Sequence, residues 1–430
     1  MKILVVGSGG REHAICWKLK QSPALTHLYC APGNAGTSQV GENVSIDADD
    51  GARLLEFALS RQIDLTVIGP EAPLVAGIVD QFEAAGLLAM GPSRKAAQLE
   101  GSKAFAKDFM RRHRIPTADY QTYTDVSAAH ADLLAGRYQF PLVVKADGLA
   151  AGKGVFICPD LPAASAAVDV IMRERQFGAS GDRLVIEEFL QGEEVSFMVF
   201  SDGRGFVPMV PSQDHKAVFD GDTGPNTGGM GAYSIDAILS PPLRQRILSE
   251  IIEPTIRGMA EEGAPFRGIL YAGLMITASG PKVLEYNARF GDPETQVVLP
   301  RLDSDLARIL AGVARGDLTQ SEVRWNNDAV VCVVVASGGY PGAYQKGKKI
   351  TGLEMAAEAR DTVVFHAGTV ERNGKTVSSG GRVLGVTARA NSLEEAILRA
   401  YEGVNKVHFE GMYYRRDIAA KGLRKVKTDH

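Results

Sequence analysis

The chain has 430 residues, 45% of them hydrophobic and 23% charged, with a formal net charge of −4. Such values fit a globular protein of about three domains at roughly 150 residues each, and the charge excludes an overall basic field for nucleic acid. Four cysteines, at 16, 30, 158 and 332, form no C-x-x-C pair, which excludes a zinc knuckle or disulfide framework and fits a reduced, cytoplasmic compartment.

Lys2-Ile-Leu-Val-Val6 is too short for a signal core and runs straight into glycine. Residues 3–6 read as a buried parallel strand, and 12–19 as a helix after a glycine turn. Strands at 65–68 and 87–90 follow, with helices at 54–60 and 74–85 between them. This alternation predicts an open parallel sheet with helices on both faces. Gly7-Ser-Gly9-Gly10-Arg11-Glu12-His13 falls short of the dinucleotide fingerprint, which needs glycine where Glu12 stands. No acid follows Cys30-Ala-Pro-Gly33 for a ribose hydroxyl, so nicotinamide-dependent oxidoreduction is disfavoured. The turn still offers free backbone N–H groups to a phosphate.

Residues 101–112, opening at Gly101-Ser-Lys103, read as a helix, and Arg114-Ile-Pro-Thr117 as a linker. The strongest phosphate signal is Val143-Val-Lys145-Ala-Asp-Gly148-Leu-Ala-Ala-Gly152-Lys153-Gly154-Val155: strand, glycine loop, strand. Small residues let backbone amides approach phosphate oxygens, and lysines add point charges. Glycine follows Lys153, so this is not a Walker loop. Lys145 ends an apolar strand, where a buried ammonium needs an anionic partner. A strand from Leu184 then meets Glu187-Glu188-Phe189-Leu190 and Glu193-Glu194 before a second strand at 195–200. A carboxylate there suits two vicinal hydroxyls; otherwise the segment is a charged hairpin.

Pro211-Ser-Gln-Asp214-His215-Lys216 and 221–233 read as a long loop, functional by its length in a compact domain. His215 reads as structural. Residues 268–276, GILYAGLMI, form an acid-free strand. The next strand, 283–286, places Glu285 and Asn287 on one face and Tyr286 on the other. A carboxylate beside an amide carbonyl suits a hard cation such as Mg²⁺, which completes its shell with water and substrate phosphates. Arg289, Asp292 and Glu294 crowd the following turn, as a site or as a solvated strand end with a surface ion pair.

Residues 302–314 read as an amphipathic helix, 325–328 as a boundary, and 329–336 as a buried strand ahead of Gly338-Gly-Tyr-Pro-Gly342. Strands at 363–367 and 382–388 with a helix at 393–404 suggest a small α+β lid. Gly380-Gly381-Arg382 suits a sugar phosphate, or is a hairpin turn with a surface arginine. The basic tail 421–427 reads as a solvated terminus.

EYNARFGDPETQ, residues 285–296, resembles the signature of the phosphoribosylamine–glycine ligase (glycinamide ribonucleotide synthetase) family of the ATP-grasp superfamily. The resemblance runs from GSGGREHA to GGRVL near Arg382. It implies an α/β architecture in three units. These are an open parallel-sheet substrate domain at 1–100, an ATP-grasp domain at 101–325 with a mobile glycine-loop clamp at about 118–192, and a small α+β domain at 326–430. It implies that glycine is joined to 5-phosphoribosylamine at the expense of ATP, through glycyl phosphate, in purine biosynthesis. Mg²⁺ or Mn²⁺ is the expected cofactor and a monomer the expected state, with no nucleic-acid or membrane partner.

The resemblance also implies site roles. Lys103, Lys145, Gly152, Lys153 and Gly154 hold ATP, Glu187 through Leu190 form the adenine hinge, and Glu193 or Glu194 takes the ribose hydroxyls. Gly9, Gly10, Arg11, Glu71, Asp292 and Arg382 meet phosphoribosylamine. Asp214 holds the glycine ammonium and Lys216 an anion. Lys145 stabilises the transferring phosphate, Arg289 that phosphate or the glycine carboxylate, and Glu285 and Asn287 bind the metal. Ser8 replaces a common asparagine, Ala217 a basic residue, and the acid-free strand leaves only two strong metal ligands. Another ATP-grasp carboxylate–amine ligase would differ at 211–233. A non-catalytic ATP-sensing module would not need Glu285, Asn287 and Arg289 intact.

Overall fold

The computed structural model describes residues 1–150, 154–319 and 322–428. Lys2–Gly7 is the middle strand of a five-stranded parallel sheet. His27–Pro32 and Leu65–Ile68 flank it, with Glu42–Asn43 and Ala89–Met90 at the edges. Ile3, Leu4, Val5 and Val6 are fully buried, as a parallel strand covered on both faces requires. Gly10–Leu19 and Gly51–Arg61 are helices, the second capped by Asp50, which accepts the Arg53 N–H at 3.1 Å. The single helix expected at 74–85 is two, Glu71–Ala76 and Ile78–Ala84. Gly77 separates them at φ 91°, a conformation glycine adopts readily and other residues do not.

Two antiparallel sheets follow. One orders Tyr120–Tyr123, Leu184–Glu188, Leu142–Ala146 and Val155–Cys158 side by side. Leu142, Val144 and Ala146 pack into a core with residues of the helices Val126–Leu134 and Leu161–Val168. Side chains alternate along a strand, so Lys145 projects from the opposite face. The other sheet orders Phe206–Pro208, Glu193–Asp202, Arg267–Thr277 and Gly280–Asn287. The two sheets meet across a gap, where Lys145 Nζ donates to the Leu284 carbonyl at 3.3 Å.

The segment 211–233 is not the loop expected from its composition. It carries the short strands Gln213–Asp214, Ala217–Phe219, Thr223–Asn226 and Gly231–Ser234. Gly231–Ser234 pairs antiparallel with Ala329–Ser337, so this segment completes a sheet that continues through Arg382–Ala390 and Thr362–His366. Ala329–Ser337 is buried along its length, and its backbone groups need partners on both sides. The helix expected at 302–314 is Leu306–Arg315, started by Asp305, which accepts the Ala307 N–H at 3.0 Å. The basic tail is no solvated terminus. It forms the helix Ala420–Thr428, with Lys421 paired to Asp222 at 2.6 Å and Lys425 to Glu193 at 2.8 Å.

Candidate active site

A cavity of about 490 Å³ lies between the two antiparallel sheets, closed on one side by the parallel-sheet unit and on another by the C-terminal sheet. Glu285 and Asn287 line it from alternate positions of Gly280–Asn287. Tyr286 between them is buried, and its hydroxyl meets Thr255 Oγ1 at 2.7 Å. Burial works to raise the Glu285 carboxyl, but Lys216, Lys145, Lys103 and Arg289 hold it below its ordinary range. An ionised carboxylate beside an amide oxygen suits a hard divalent cation with open places for phosphate and water. Among the described residues no cluster of three or more His, Cys, Asp or Glu side chains offers a denser metal site.

Arg289 leaves the end of that strand into a carboxylate clasp. Its Nη2 meets Glu100 Oε1 at 2.8 Å, its Nε meets Glu71 Oε2 at 3.2 Å, and Nη2 also donates to Asn287 Oδ1 at 3.2 Å. Burial opposes the Arg289 charge, yet Glu100 and Glu71 outweigh it and raise its pKa. Burial raises the Glu100 carboxyl despite Arg289. Glu71 is driven up by burial but ends below its ordinary range because Arg289 and Arg11 face it.

Opposite stand the lysines. Lys145, 6% exposed, pairs with Glu187 Oε1, and Lys107 pairs with Glu187 Oε2 at 2.5 Å. Glu187 is thus the anionic partner Lys145 needs, and it stands under the cavity wall. Burial lowers Lys107 to about 8, against the pull of Glu187. Lys103, at the start of Lys103–Arg112, donates to the Gly148 carbonyl at 3.0 Å, and burial lowers its pKa. Gly154 lines the same cavity, whereas Gly152 and Lys153 lie outside the described residues.

Asp214, Lys216, Tyr271 and Glu294 form a further wall. Glu294 Oε1 accepts from Tyr271 Oη at 2.9 Å and from Ser196 Oγ at 3.0 Å. Tyr271 is the polar side chain of the acid-free strand, so that strand contributes a hydroxyl where a carboxylate is missing. Lys216 Nζ pairs with Glu194 Oε2 at 2.7 Å. Lys216 thus has a carboxylate partner in the protein itself. Burial pushes the Asp214 carboxyl up to about 7, with Lys216 opposing and Glu294 and Glu194 adding to the rise.

The remaining walls are held by carboxylates. Glu12 Oε2 accepts the Gly9 N–H at 2.6 Å and Asp292 Oδ2 the Arg11 N–H at 3.3 Å, so these two amides of the glycine turn are not free. Gly10 packs against Gln296. The Arg11 guanidinium lines the cavity while its Nε donates to Glu12 Oε1 at 2.6 Å. Arg382 Nη1 donates to the carbonyls of Gly228, of Gly229 at 3.5 Å and of Asp292 at 2.8 Å. Tyr340, within the glycine-rich 338–342 segment, accepts the Gly228 N–H on its hydroxyl at 3.0 Å.

A second cavity of about 550 Å³ adjoins the first through Asp214, Lys216 and Asn226, which line both. Glu193 and Glu194 line only the second. Gln213 Nε2 donates to Glu193 Oε1 at 3.1 Å, and Lys425 pairs with the same carboxylate. Glu188, Phe189 and Leu190 line neither cavity; Glu188 is exposed and faces Lys282 at 3.5 Å. Sequence reading missed Glu100, Tyr271 and Tyr340 as lining residues. Tyr271 carried a signal, as the one polar side chain within an apolar strand.

Family models for phosphoribosylglycinamide synthetase match the chain in three stretches: the N domain over 1–100, the ATP-grasp (A) domain over 101–295 and the C domain over 330–421. The phosphoribosylamine–glycine ligase of Vibrio parahaemolyticus is 51% identical over 426 residues, covering 98% of this chain and 99% of that protein. The enzyme of the same name from Pseudomonas aeruginosa is 51% identical over 432 residues, covering 100% of both. The crystal structure of phosphoribosylamine–glycine ligase from Thermotoga maritima superposes with a TM-score of 0.84 at 35% identity, covering 97% of this chain and 100% of that one.

Proposed function

The chain belongs to the phosphoribosylglycinamide synthetase family, and we propose that its central cavity joins glycine to 5-phosphoribosylamine through a glycyl phosphate. It is an ATP-grasp ligase of purine biosynthesis, forming a C–N bond with ATP. One observation carries the assignment of the cavity. Glu285, Asn287 and Arg289 face Lys103 and Lys145 across one enclosed space whose walls come from all three family-matched stretches.

A carboxylate does not acylate an amine directly, because its leaving group is too poor. The glycine carboxylate therefore attacks the γ-phosphate of ATP, and the amine then displaces phosphate from the acyl carbon. Phosphoryl transfer rests on positioning and charge neutralisation. Lys103, Lys145 and the glycine loop ending at Gly154 hold the triphosphate. Glu187 fixes Lys145, the backbone at Glu188–Phe189–Leu190 meets adenine, and Glu193 or Glu194 takes the ribose. Glu285 and Asn287 hold a divalent ion, Mg²⁺ or Mn²⁺. When bound there, the ion supplies neutralisation of phosphate charge. Arg289, oriented by Glu100 and Glu71, faces the transferring phosphoryl group.

Phosphoribosylamine lies toward Arg11, Glu71, Asp292 and Arg382, beside the turn at Gly9 and Gly10. Asp214 and Glu294 supply the negative wall that an amine meets, and Lys216 balances it. Enclosure by the C-terminal sheet shields the acyl phosphate from water. We take the units as 1–100, 101–325 with a clamp at about 118–192, and 326–430, acting as a cytoplasmic monomer. No helix among the described residues is long and apolar enough to cross a membrane.

The test is ADP release from purified protein with Mg·ATP, glycine and freshly made phosphoribosylamine, separately and together, beside Glu285→Ala. Turnover needing both substrates and lost in the variant supports the reading. Equal turnover with other carboxylates or amines leaves the ligase class and overturns the substrates. No turnover from folded protein overturns the catalytic reading in favour of ATP sensing.

A further inference from the structure

Aminolysis of an acyl phosphate moves one proton from the amine nitrogen to the departing phosphate. The amine nitrogen bonds to the acyl carbon, the carbon–oxygen bond to phosphate breaks with its electron pair, and the new amide nitrogen carries a surplus proton. The phosphate released with that electron pair is strongly basic and ends with the proton, and a side chain that takes it from nitrogen as the C–N bond forms and passes it to the phosphate lowers the barrier. This step rests on the glycyl-phosphate reading above.

The lining carboxylates sort by their partners. Glu71 and Glu100 are tied to Arg289, Asp292 pairs with Arg382 at 3.4 Å, and Glu294 accepts from Tyr271 and Ser196. Of the lining carboxylates among the described residues, only Asp214 and Glu285 carry neither an ion pair nor a side-chain hydrogen bond. Glu285 is surrounded by four cations that keep it ionised. Asp214 has the opposite surroundings: one cation, Lys216, against Glu294 from the turn after Gly280–Asn287 and Glu194 from Glu193–Asp202. Tyr271, on Arg267–Thr277, also faces it. Lys216 is shared in turn with Glu194 and Glu285.

Position adds a second argument. Asp214 sits on the short strand Gln213–Asp214 in the wall between the two cavities, and it lines both. One side faces the reaction space and the other the more open space beside the helix Ala420–Thr428. On the first side it shares a wall with Lys216, Tyr271 and Glu294.

We infer that Asp214 takes the proton of the attacking amine of phosphoribosylamine as the C–N bond forms and passes it to the departing phosphate. This shifts Asp214 from the glycine ammonium to the second half-reaction. A carboxyl that titrates at about 7 is matched to this task at neutral pH.

The experiment separates the two half-reactions. Hydroxylamine, a weakly basic nucleophile, traps glycyl phosphate as glycine hydroxamate and gives up its proton without a placed base. Wild type, Asp214→Asn and Asp214→Glu are compared in hydroxamate formation and in ligation to phosphoribosylamine, from pH 5.5 to 9. The expected result for Asp214→Asn is hydroxamate formation with a near wild-type KM for glycine, and ligation kcat lowered about 10²-fold or more. Asp214→Glu restores part of the ligation. In wild type, ligation kcat falls on the acid side with an inflection near 7 and hydroxamate formation does not, a readout that needs no variant. Equal loss of both reactions with a raised KM for glycine overturns the proposal in favour of an ammonium holder. Unchanged ligation in Asp214→Asn, or no acid limb in wild type, also overturns it. Absence of hydroxamate from wild type overturns the glycyl-phosphate reading, and the proton role falls with it.

Discussion

Glu100 and Arg289 are joined at 2.8 Å, and the other oxygen of Glu100 accepts the backbone N–H of Ala288 at 2.7 Å. One carboxylate thus fixes both the guanidinium and the backbone beside it, immediately after the strand that carries Glu285 and Asn287. Glu100 is 8% exposed, so its charge has little solvent to fall back on.

Glu100→Gln therefore keeps the acceptor for Ala288 but removes the charge from a buried pair. Removal of one partner from such a pair costs about 3–5 kcal/mol, and the surviving Glu71 contact puts the expected loss at about 2–3 kcal/mol. The same variant should lower kcat more than it raises the KM for ATP, because Arg289 loses its orientation while the lysines keep theirs. Denaturant unfolding and steady-state kinetics on one preparation check both. Unchanged kcat in a destabilised protein would reduce Glu100 to a packing role.

Glu285 and Asn287 lead to a prediction about ion removal. Treatment with EDTA should stop ADP release, and added Mg²⁺ or Mn²⁺ should restore it. Glu285→Ala should lose about 10²–10³-fold in kcat/KM, the scale of several kcal/mol of charge stabilisation. Asn287→Ala, which also removes an acceptor of Arg289, should lose less. Calorimetric titration with MnCl₂ in the presence of a non-hydrolysable ATP analogue checks the binding directly. Wild-type affinity in Glu285→Ala would sink the ligand assignment.

The strand Gly280–Asn287 was legible because its information is local. Alternation alone sends Glu285 and Asn287 to one face and Tyr286 to the other. Lys145 was legible for the same reason, since an ammonium at the end of an apolar strand demands an anion, and Glu187 proved to be that anion. What escaped depends on pairings far apart in the chain. Nothing near Glu100 announces Arg289 as its partner, and nothing near Tyr340 announces Gly228. The segment 211–233 looked like a loop because its strands are short and rich in glycine. Gly231–Ser234 is a strand because Ala329–Ser337 supplies its neighbouring edge, Gln213–Asp214 adds to it, and Ala217–Phe219 and Thr223–Asn226 pair with each other. The free amides expected at the glycine turn were taken by Glu12, which is adjacent, and by Asp292, which is not.

Arg382 and Tyr340 clip Gly228 from two sides. Tyr340→Phe removes the acceptor of the Gly228 N–H, a loss of about 1 kcal/mol. Arg382→Ala releases three carbonyls and the Asp292 carboxylate together. The expected outcome for Arg382→Ala is a KM for phosphoribosylamine raised at least about tenfold, with faster amide exchange at 226–230. Hydroxamate formation from glycine should suffer less in both variants. If exchange in that segment is unaltered, the clip does not hold it.

Asp214 makes a last prediction, about stability rather than rate. Its folded pKa, about 7, lies above the ordinary carboxyl value of 3.8. The unfolded chain therefore releases this proton at lower pH than the folded one. The stabilisation from the shift is fully present below about pH 4 and is lost as pH rises through about 7. Above that point the folded enzyme carries an ion its surroundings disfavour. Asp214→Asn keeps the shape and cannot ionise, so it escapes the loss. In the ligand-free protein the variant should melt at nearly the wild-type temperature at pH 4 and above it, by a margin that no longer grows, at pH 8 and 9. Solvent reaching Asp214 from the second cavity holds the gain to about 1–2 kcal/mol, a shift of about 1–4 °C in a protein of this size. Melting curves at unit steps of pH test this, because other titrating groups cancel between the two proteins. A difference that stays constant with pH would mean that Asp214 ionises normally in the fold. A difference that opens between about pH 4 and 7 and then holds would mean that the enzyme sustains a strained carboxylate where its second half-reaction has need of one.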